Sequence, residues 1–206
     1  KNPASLVMNK PRKGGDYQNV RQNCWEVSDA RKFLAHVKTL APQVTAFYTL
    51  ALETGMRRSE LCGLKWENVD LDAGLVSVVE QLVKAGKTPV FGDTKNSKPR
   101  TITITPEAVT LLRKHRSAQS AVKMENRPYY HDYGLAFAKD WNDMQLRRDV
   151  LGDPMPMNSI GVQFDKLIAV AGVKRITFHG LRHTCATMLL REGEPVHVVS
   201  ERLGHK

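Results

Sequence analysis

Cysteine is scarce in this sequence. Its 206 residues hold three, Cys24, Cys62 and Cys185, far apart and never in a C-x-x-C pair. An odd, scattered set argues against a disulfide framework and a cysteine zinc site, and fits a reducing, cytoplasmic compartment. Long apolar runs are missing as well: nowhere do about 18 uncharged apolar residues follow one another, so no segment reads as a membrane span. The opening Lys1-Asn-Pro-Ala-Ser lacks the charged-then-apolar order of a secretion signal, so a secreted precursor is not expected for the sequence as it stands. No carboxylate cluster suited to a pair of Mg²⁺ ions is visible, which argues against an ordinary nuclease. Internal repeats and low-complexity tracts are also lacking.

Positive charge, by contrast, is plentiful. Lys and Arg number 31 against 21 Asp and Glu, a formal charge of +10. That excess points to a polyanionic partner, nucleic acid before membrane, because no basic amphipathic helix of the interfacial type is found. With 41% hydrophobic residues, the chain has enough apolar material for a core, which excludes disorder.

Residues 1–27 read as a linker, with Pro3, Pro11, Gly14 and Gly15 breaking any periodicity and Lys10, Arg12 and Lys13 forming a solvated basic run. Ser28 is the expected cap of a helix with Ala30, Phe33, Leu34, Val37 and Leu40 at the 3.6 period, stopped by Pro42. Residues 44–53 are apolar on nearly every side, as in a helix through a core, and Gly55 is its expected C-cap. A short helix should follow at 58–64. From Trp66 the period changes to two at 69–71, 75–79 and 101–105, which predicts a small antiparallel sheet of about three strands. Thr105-Pro106 opens another helix. Residues 127–156 mix aromatics with Pro and Gly and are expected to form a surface excursion, with one helical stretch around 135–146. Asn158 is the expected cap of a helix closed by Gly172; two more run from His179 to Gly193 and from Pro195 to Gly204. The expected fold is α+β and mostly helical, with the sheet packed on a helical core.

Four short motifs carry polar chemistry. In His179-Gly-Leu-Arg182-His183-Thr184, His179 and Arg182 are three apart and share a face at a helix start, where an anion is favoured. A phosphate there would meet the Arg182 fork and the His179 imidazole, although a solvated helix start would look the same. His179 and His183 also have metal-ligand spacing, but Gly180 stands where H-E-x-x-H needs its glutamate, so no metal site is assigned. In Thr54-Gly-Met-Arg57-Arg58-Ser-Glu60-Leu61, Glu60 is placed to orient Arg57, or simply to pair with it at the surface. Lys95-Asn-Ser-Lys98-Pro-Arg100 sits at a turn before a strand, where a titratable lysine can reach a DNA groove or merely keep the turn soluble. Leu203-Gly204-His205 follows the last helix, and His205 either reaches back toward His179 or is exposed.

T-G-M-R-R-S-E-L, then K-N-S-K-P-R before a strand, then H-G-L-R-H-T, then L-G-H, in that order, resembles the catalytic domain of tyrosine recombinases, the phage-integrase family. The resemblance runs from about Ser28 to the last residue. It implies that Arg57 and Arg182 grip the scissile phosphate, with Lys95 as general acid on the leaving 5′-oxygen and Lys98 as its competitor for that role. His179 would assist proton transfer at the nucleophile and His205 would donate a hydrogen bond to the phosphate. Glu60 and His183 would support these groups from behind, Arg58 would point elsewhere, and Lys98 and Arg100 would touch the DNA backbone. In the family the nucleophile is a tyrosine about nine residues beyond the position of His205. Tyr17, Tyr48, Tyr129, Tyr130 and Tyr133 all precede His179, so the sequence departs from the pattern there.

The resemblance therefore implies site-specific DNA recombination by transesterification through a 3′-phosphotyrosyl intermediate, needing no cofactor. Residues 1–27 are expected to lead from an N-terminal DNA-binding domain and 28–206 to form a catalytic domain cut before its tyrosine. By itself this fragment is expected to be inactive. Its partner would be double-stranded DNA in a bacterial, nucleoid-associated setting, with the full-length protein a homotetramer on paired sites and with accessory DNA-bending or excision proteins. A non-catalytic DNA-binding relative is the alternative function, and a metal-dependent hydrolase the third.

Overall fold

A computed structural model describes residues 23–86, 88–94, 99–140 and 148–204. The sequence of elements is mostly helical, with small antiparallel sheets, as the α+β reading expects. Helix α1 (Val27–Val37) starts after Glu26 rather than at Ser28, because the carbonyl of Glu26 already accepts from Ala30. It ends at Val37, well before Pro42. That proline does not stop α1 but stands in the first turn of α2 (Pro42–Thr54), where its missing N–H costs nothing. Nearly all of α2 is buried, and Gly55 closes it at φ 62, a left-handed turn that glycine adopts without strain. Helix α3 (Arg58–Gly63) follows at once.

Strands β1 (Val69–Asp70), β2 (Leu75–Val78) and β5 (Arg100–Thr103) make one antiparallel sheet in the order β1-β2-β5, close to the three runs of period two. Val76 and Val78 on β2 and Ile102 on β5 face the core. A second pair, β3 (Glu80–Lys84) with β4 (Val90–Asp93), forms a hairpin whose register shifts between Leu82 and Lys84. Periodicity did not reveal it, because the burial of β3 does not alternate. Leu82, fully buried, anchors the hairpin, whose β3 strand packs on α3.

Helix α4 (Pro106–Glu125) is capped by Thr105, whose hydroxyl accepts from Ala108 N. Residues 135–140, expected to be helical and superficial, are neither. Leu135, Ala136, Phe137 and Ala138 are buried in irregular extended backbone, with Ala136 N donating to Leu64 O and Ala136 O facing His115 of α4. Residues 141–147 of the expected helix lie outside the described residues. Helix α5 (Met157–Ala171) starts after Pro156 rather than after Asn158. Helix α6 (Phe178–Arg191) follows the Thr177 cap, and α7 (Val196–Leu203) stops at Gly204.

The core is aromatic. Phe33, Tyr48, Phe164 and Phe178 form a connected set with centroids 5.6 to 6.3 Å apart, and Trp25 packs on Phe33 at 4.8 Å with the rings tilted. Trp25 is 1% exposed, its backbone N donates to Thr184 Oγ1 and its indole N–H donates to Lys174 O. Residues 1–22 of the expected linker lie outside the described residues, but its last stretch belongs to the folded body. A buried aromatic of this size is worth about 3–5 kcal/mol against alanine. Packed this way, α2, α3, α6 and α7 converge with β5 at one place.

Candidate active site

That meeting point is built around one carboxylate. Glu60, three residues into α3, has no exposed side-chain surface. Its Oε1 accepts from Arg57 Nη1 at 2.7 Å and Arg100 Nη1 at 3.2 Å, and its Oε2 accepts from Arg57 N at 2.8 Å and Arg100 Nη2 at 2.7 Å. Two guanidinium groups thus share one buried anion. These charge-assisted bonds hold the carboxyl of Glu60 below its usual range even though burial pushes it the other way.

Arg57 is positioned by Gly55, which lets the chain turn sharply out of α2. The Glu60 carboxylate bonds both its backbone N and its guanidinium, so the side chain, about a third exposed, is held in place where it meets solvent. Arg58 goes elsewhere, toward Gly161 of α5, where it lines a separate groove with Asn158 and Arg175.

Arg182 enters from α6 and is 3% exposed. Its Nη1 donates to Gly55 O at 2.9 Å and its Nη2 to Leu203 O at 2.6 Å, so it ties the end of α2 to the end of α7. Burial first, then the positive charge of Arg57 and Arg100, lowers its pKa to about 10, and Glu60 opposes the shift. It is still charged at neutral pH. Three guanidinium groups against one carboxylate leave the cluster with an excess of positive charge in a poorly hydrated place, an arrangement suited to an anion.

The start of α6 differs from the expected anion site. The cap is made within the protein, since Thr177 Oγ1 accepts from Gly180 N while Thr177 N donates to Asn23 Oδ1. Arg182 reaches away from that turn, into the cluster. His179 is exposed and packs its ring edge-on against His183 at 4.7 Å. Burial, then Arg182, lowers the pKa of His183, which keeps it neutral at pH 7. No group of three metal-ligating side chains occurs among the described residues.

Arg100 does not sit where the sequence expected a DNA-backbone contact. Its side chain is 5% exposed, turned inward to Glu60, and its Nε donates to Arg202 O at 2.9 Å. The turn residues Lys95 and Lys98, and His205 past α7, lie outside the described residues.

The profile of the phage integrase family matches residues 25–206. The chain belongs to the phage integrase family. Among curated relatives, this integrase-family chain is similar to a XerC-like tyrosine recombinase of Caldanaerobacter subterraneus subsp. tengcongensis, 29% identical over 79% of this chain and 42% of that protein. It is similar also to the prophage integrase IntR of Escherichia coli K12, 27% identical over 85% of this chain and 43% of that protein. The chain spans less than half the length of these two relatives. Among solved structures, the Tn1549 transposon integrase in complex with transposon right end DNA superposes with a TM-score of 0.68 at 21% identity, covering 100% of this chain and 64% of that one. XerA recombinase superposes with a TM-score of 0.67 at 22% identity, covering 88% of this chain and 56% of that one. At these identities the superpositions speak for the fold. No described helix is long and apolar enough to cross a membrane.

Proposed function

We propose that this chain is the catalytic region of a site-specific recombinase that cuts and rejoins duplex DNA through a covalent 3′-phosphotyrosyl intermediate. The observation that carries the reading is the cluster in which Arg57 and Arg182 converge beside the buried Glu60. Displacement at a phosphodiester concentrates charge on the nonbridging oxygens, and fixed guanidinium groups in a poorly hydrated site stabilise that charge. The tyrosine oxygen bonds to phosphorus as the bond to the 5′-oxygen breaks. Lys95 gives its proton to that leaving oxygen, and His179 assists removal of the tyrosine proton. His205 donates a hydrogen bond to the phosphate. Reversal with a new 5′-hydroxyl rejoins the strand.

The nucleophile is a tyrosine downstream of Lys206. Double-stranded DNA is the partner, in a bacterial nucleoid setting, and the complete protein works as a homotetramer on paired sites with accessory DNA-bending or excision proteins. Residues 1–27 lead from an N-terminal DNA-binding domain. Family membership, the DNA-bound integrase among the fold's relatives and the +10 charge support the DNA partner.

A nicked suicide duplex tests the function. The protein extended through the downstream tyrosine should form an SDS-resistant adduct mapping to that residue. Salt-sensitive binding without any adduct would support a non-catalytic DNA-binding relative instead. An adduct at Tyr17, Tyr48, Tyr129, Tyr130 or Tyr133 would overturn the placement of the nucleophile.

A further inference from the structure

Arg100 spans the cluster in a way that the recombinase reading does not require. Its guanidinium meets Glu60 with both Nη atoms, at 3.2 and 2.7 Å, while Nε holds the carbonyl of Arg202 at 2.9 Å. One planar group therefore joins the carboxylate that fixes Arg57 to the last turn of α7. Gly204 lies against the same guanidinium, and a Cβ there would stand 3.0 Å from Arg100 Nη1. Arg182 grips the next carbonyl, Leu203 O, so two arginines from different elements clamp the end of α7.

We infer that Arg100 is a positioning residue, which sets the place of Arg57 through Glu60 and is itself anchored by the carbonyl of Arg202. This rests on the reading of Arg57 as a phosphate ligand. Arg100 is 5% exposed and spends both Nη atoms on the Glu60 carboxylate, which neutralises it, whereas Arg182 bonds neutral carbonyls and keeps its charge for an anion. The ladder of β5 against β2, with Arg100 opposite Val78, fixes its backbone. Only a fork has the geometry for both bonds to Glu60 together with the Arg202 bond. Lysine keeps the charge but cannot bridge them.

The test compares Arg57→Lys, Arg100→Lys and the double variant in the protein extended through its tyrosine, by single-turnover cleavage of a nicked duplex. DNA affinity is titrated against salt on the 206-residue chain. Arg100→Lys should slow cleavage about tenfold or more, and the neutral Arg100→Gln should leave the salt slope unchanged. Because Arg100 acts through Arg57, adding Arg100→Lys to Arg57→Lys should cost less than about threefold further. Three results would overturn the inference: a salt slope lower by about 0.9, the mark of a lost phosphate contact; losses that multiply in the double variant; or unchanged cleavage with only a lower melting temperature. If Arg57→Lys alone is silent, the phosphate-ligand reading falls and the positioning role falls with it. Should Arg100→Lys fail to fold, Glu60→Gln loosens the same link from the other end. It must give the same split between cleavage and salt slope, and a Glu60→Gln protein that cleaves normally refutes the idea.

Discussion

Replacing Gly55 by alanine puts a methyl group where the site has no room. The added Cβ would collide with Leu203 Cδ2 and stand 3.3 Å from Cys185 Sγ, at a residue whose φ is 62. Two costs follow. Holding alanine in the left-handed region costs about 1 kcal/mol, and forcing a methyl into a packed contact costs ~1–3 kcal/mol more. The total is about 2–4 kcal/mol, or roughly 5–15 °C in melting temperature for a domain of this size. Gly134→Ala is the control: its φ is 69, nearly the same, and nothing lies within 4 Å of its would-be Cβ. It should lose only the backbone cost of about 1 kcal/mol. Urea unfolding followed by far-ultraviolet circular dichroism measures both. If Gly55→Ala is no more costly than Gly134→Ala, the tight contact between the ends of α2 and α7 is wrong. Leu203 is also the residue whose carbonyl Arg182 holds, so Gly55→Ala should slow strand cleavage even at temperatures where it is fully folded.

Further outcomes are expected. Lys95→Ala should lose cleavage of an ordinary phosphodiester and regain it on a 5′-bridging phosphorothiolate, whose thiolate leaves without a general acid; rescue of Lys98→Ala instead would move the role by three residues. Cleavage should persist in EDTA, since two arginines and a titratable lysine meet the charges that metal ions otherwise meet, and activity restored only by Mg²⁺ or Zn²⁺ would contradict that. His115 is buried with Nε2 2.6 Å from Ala136 O, and burial holds its pKa below the usual 6.5. The unfolded chain therefore binds the proton more readily, so this stability is present above about pH 6.5 and is lost as pH falls through that value. His115→Gln should flatten the fall in melting temperature between about pH 7 and 5.5, and an unchanged slope would exclude His115 as its source.

The sequence shows what local spacing governs. Arg57 and Glu60 pair because three residues is about one helical turn, Gly55 and Gly172 close helices through left-handed backbone geometry, and Thr105 caps one with its hydroxyl. Alternation revealed β1, β2 and β5. What stayed hidden depends on partners far along the chain. Arg100 looked like a solvated turn residue because Glu60, which buries it, is 40 residues away. Residues 135–138 looked superficial because the groups that satisfy them, from Leu64, His115 and Gln119, come from other elements. At the start of α6 the spacing of His179 and Arg182 marked the right helix, but the two side chains diverge, one to solvent and one into the cluster. Trp25 was hidden in a stretch whose composition reads as linker, and what ties it to the core is its packing on Phe33 and Phe164 and its bonds to Thr184 and Lys174.

Arg57 and Arg182 should act on the transition state of phosphoryl transfer rather than on DNA binding. The direct measurement is single-turnover cleavage of a nicked duplex by the protein extended through its tyrosine, with the dissociation constant measured on the same DNA, for wild type, Arg57→Ala and Arg182→Lys. The predicted result is a cleavage rate lower by about 10² or more with affinity changed less than about tenfold, because the arginines stabilise charge that exists only as the phosphate is attacked. Equal losses in rate and affinity would make them ordinary phosphate contacts and contradict the account.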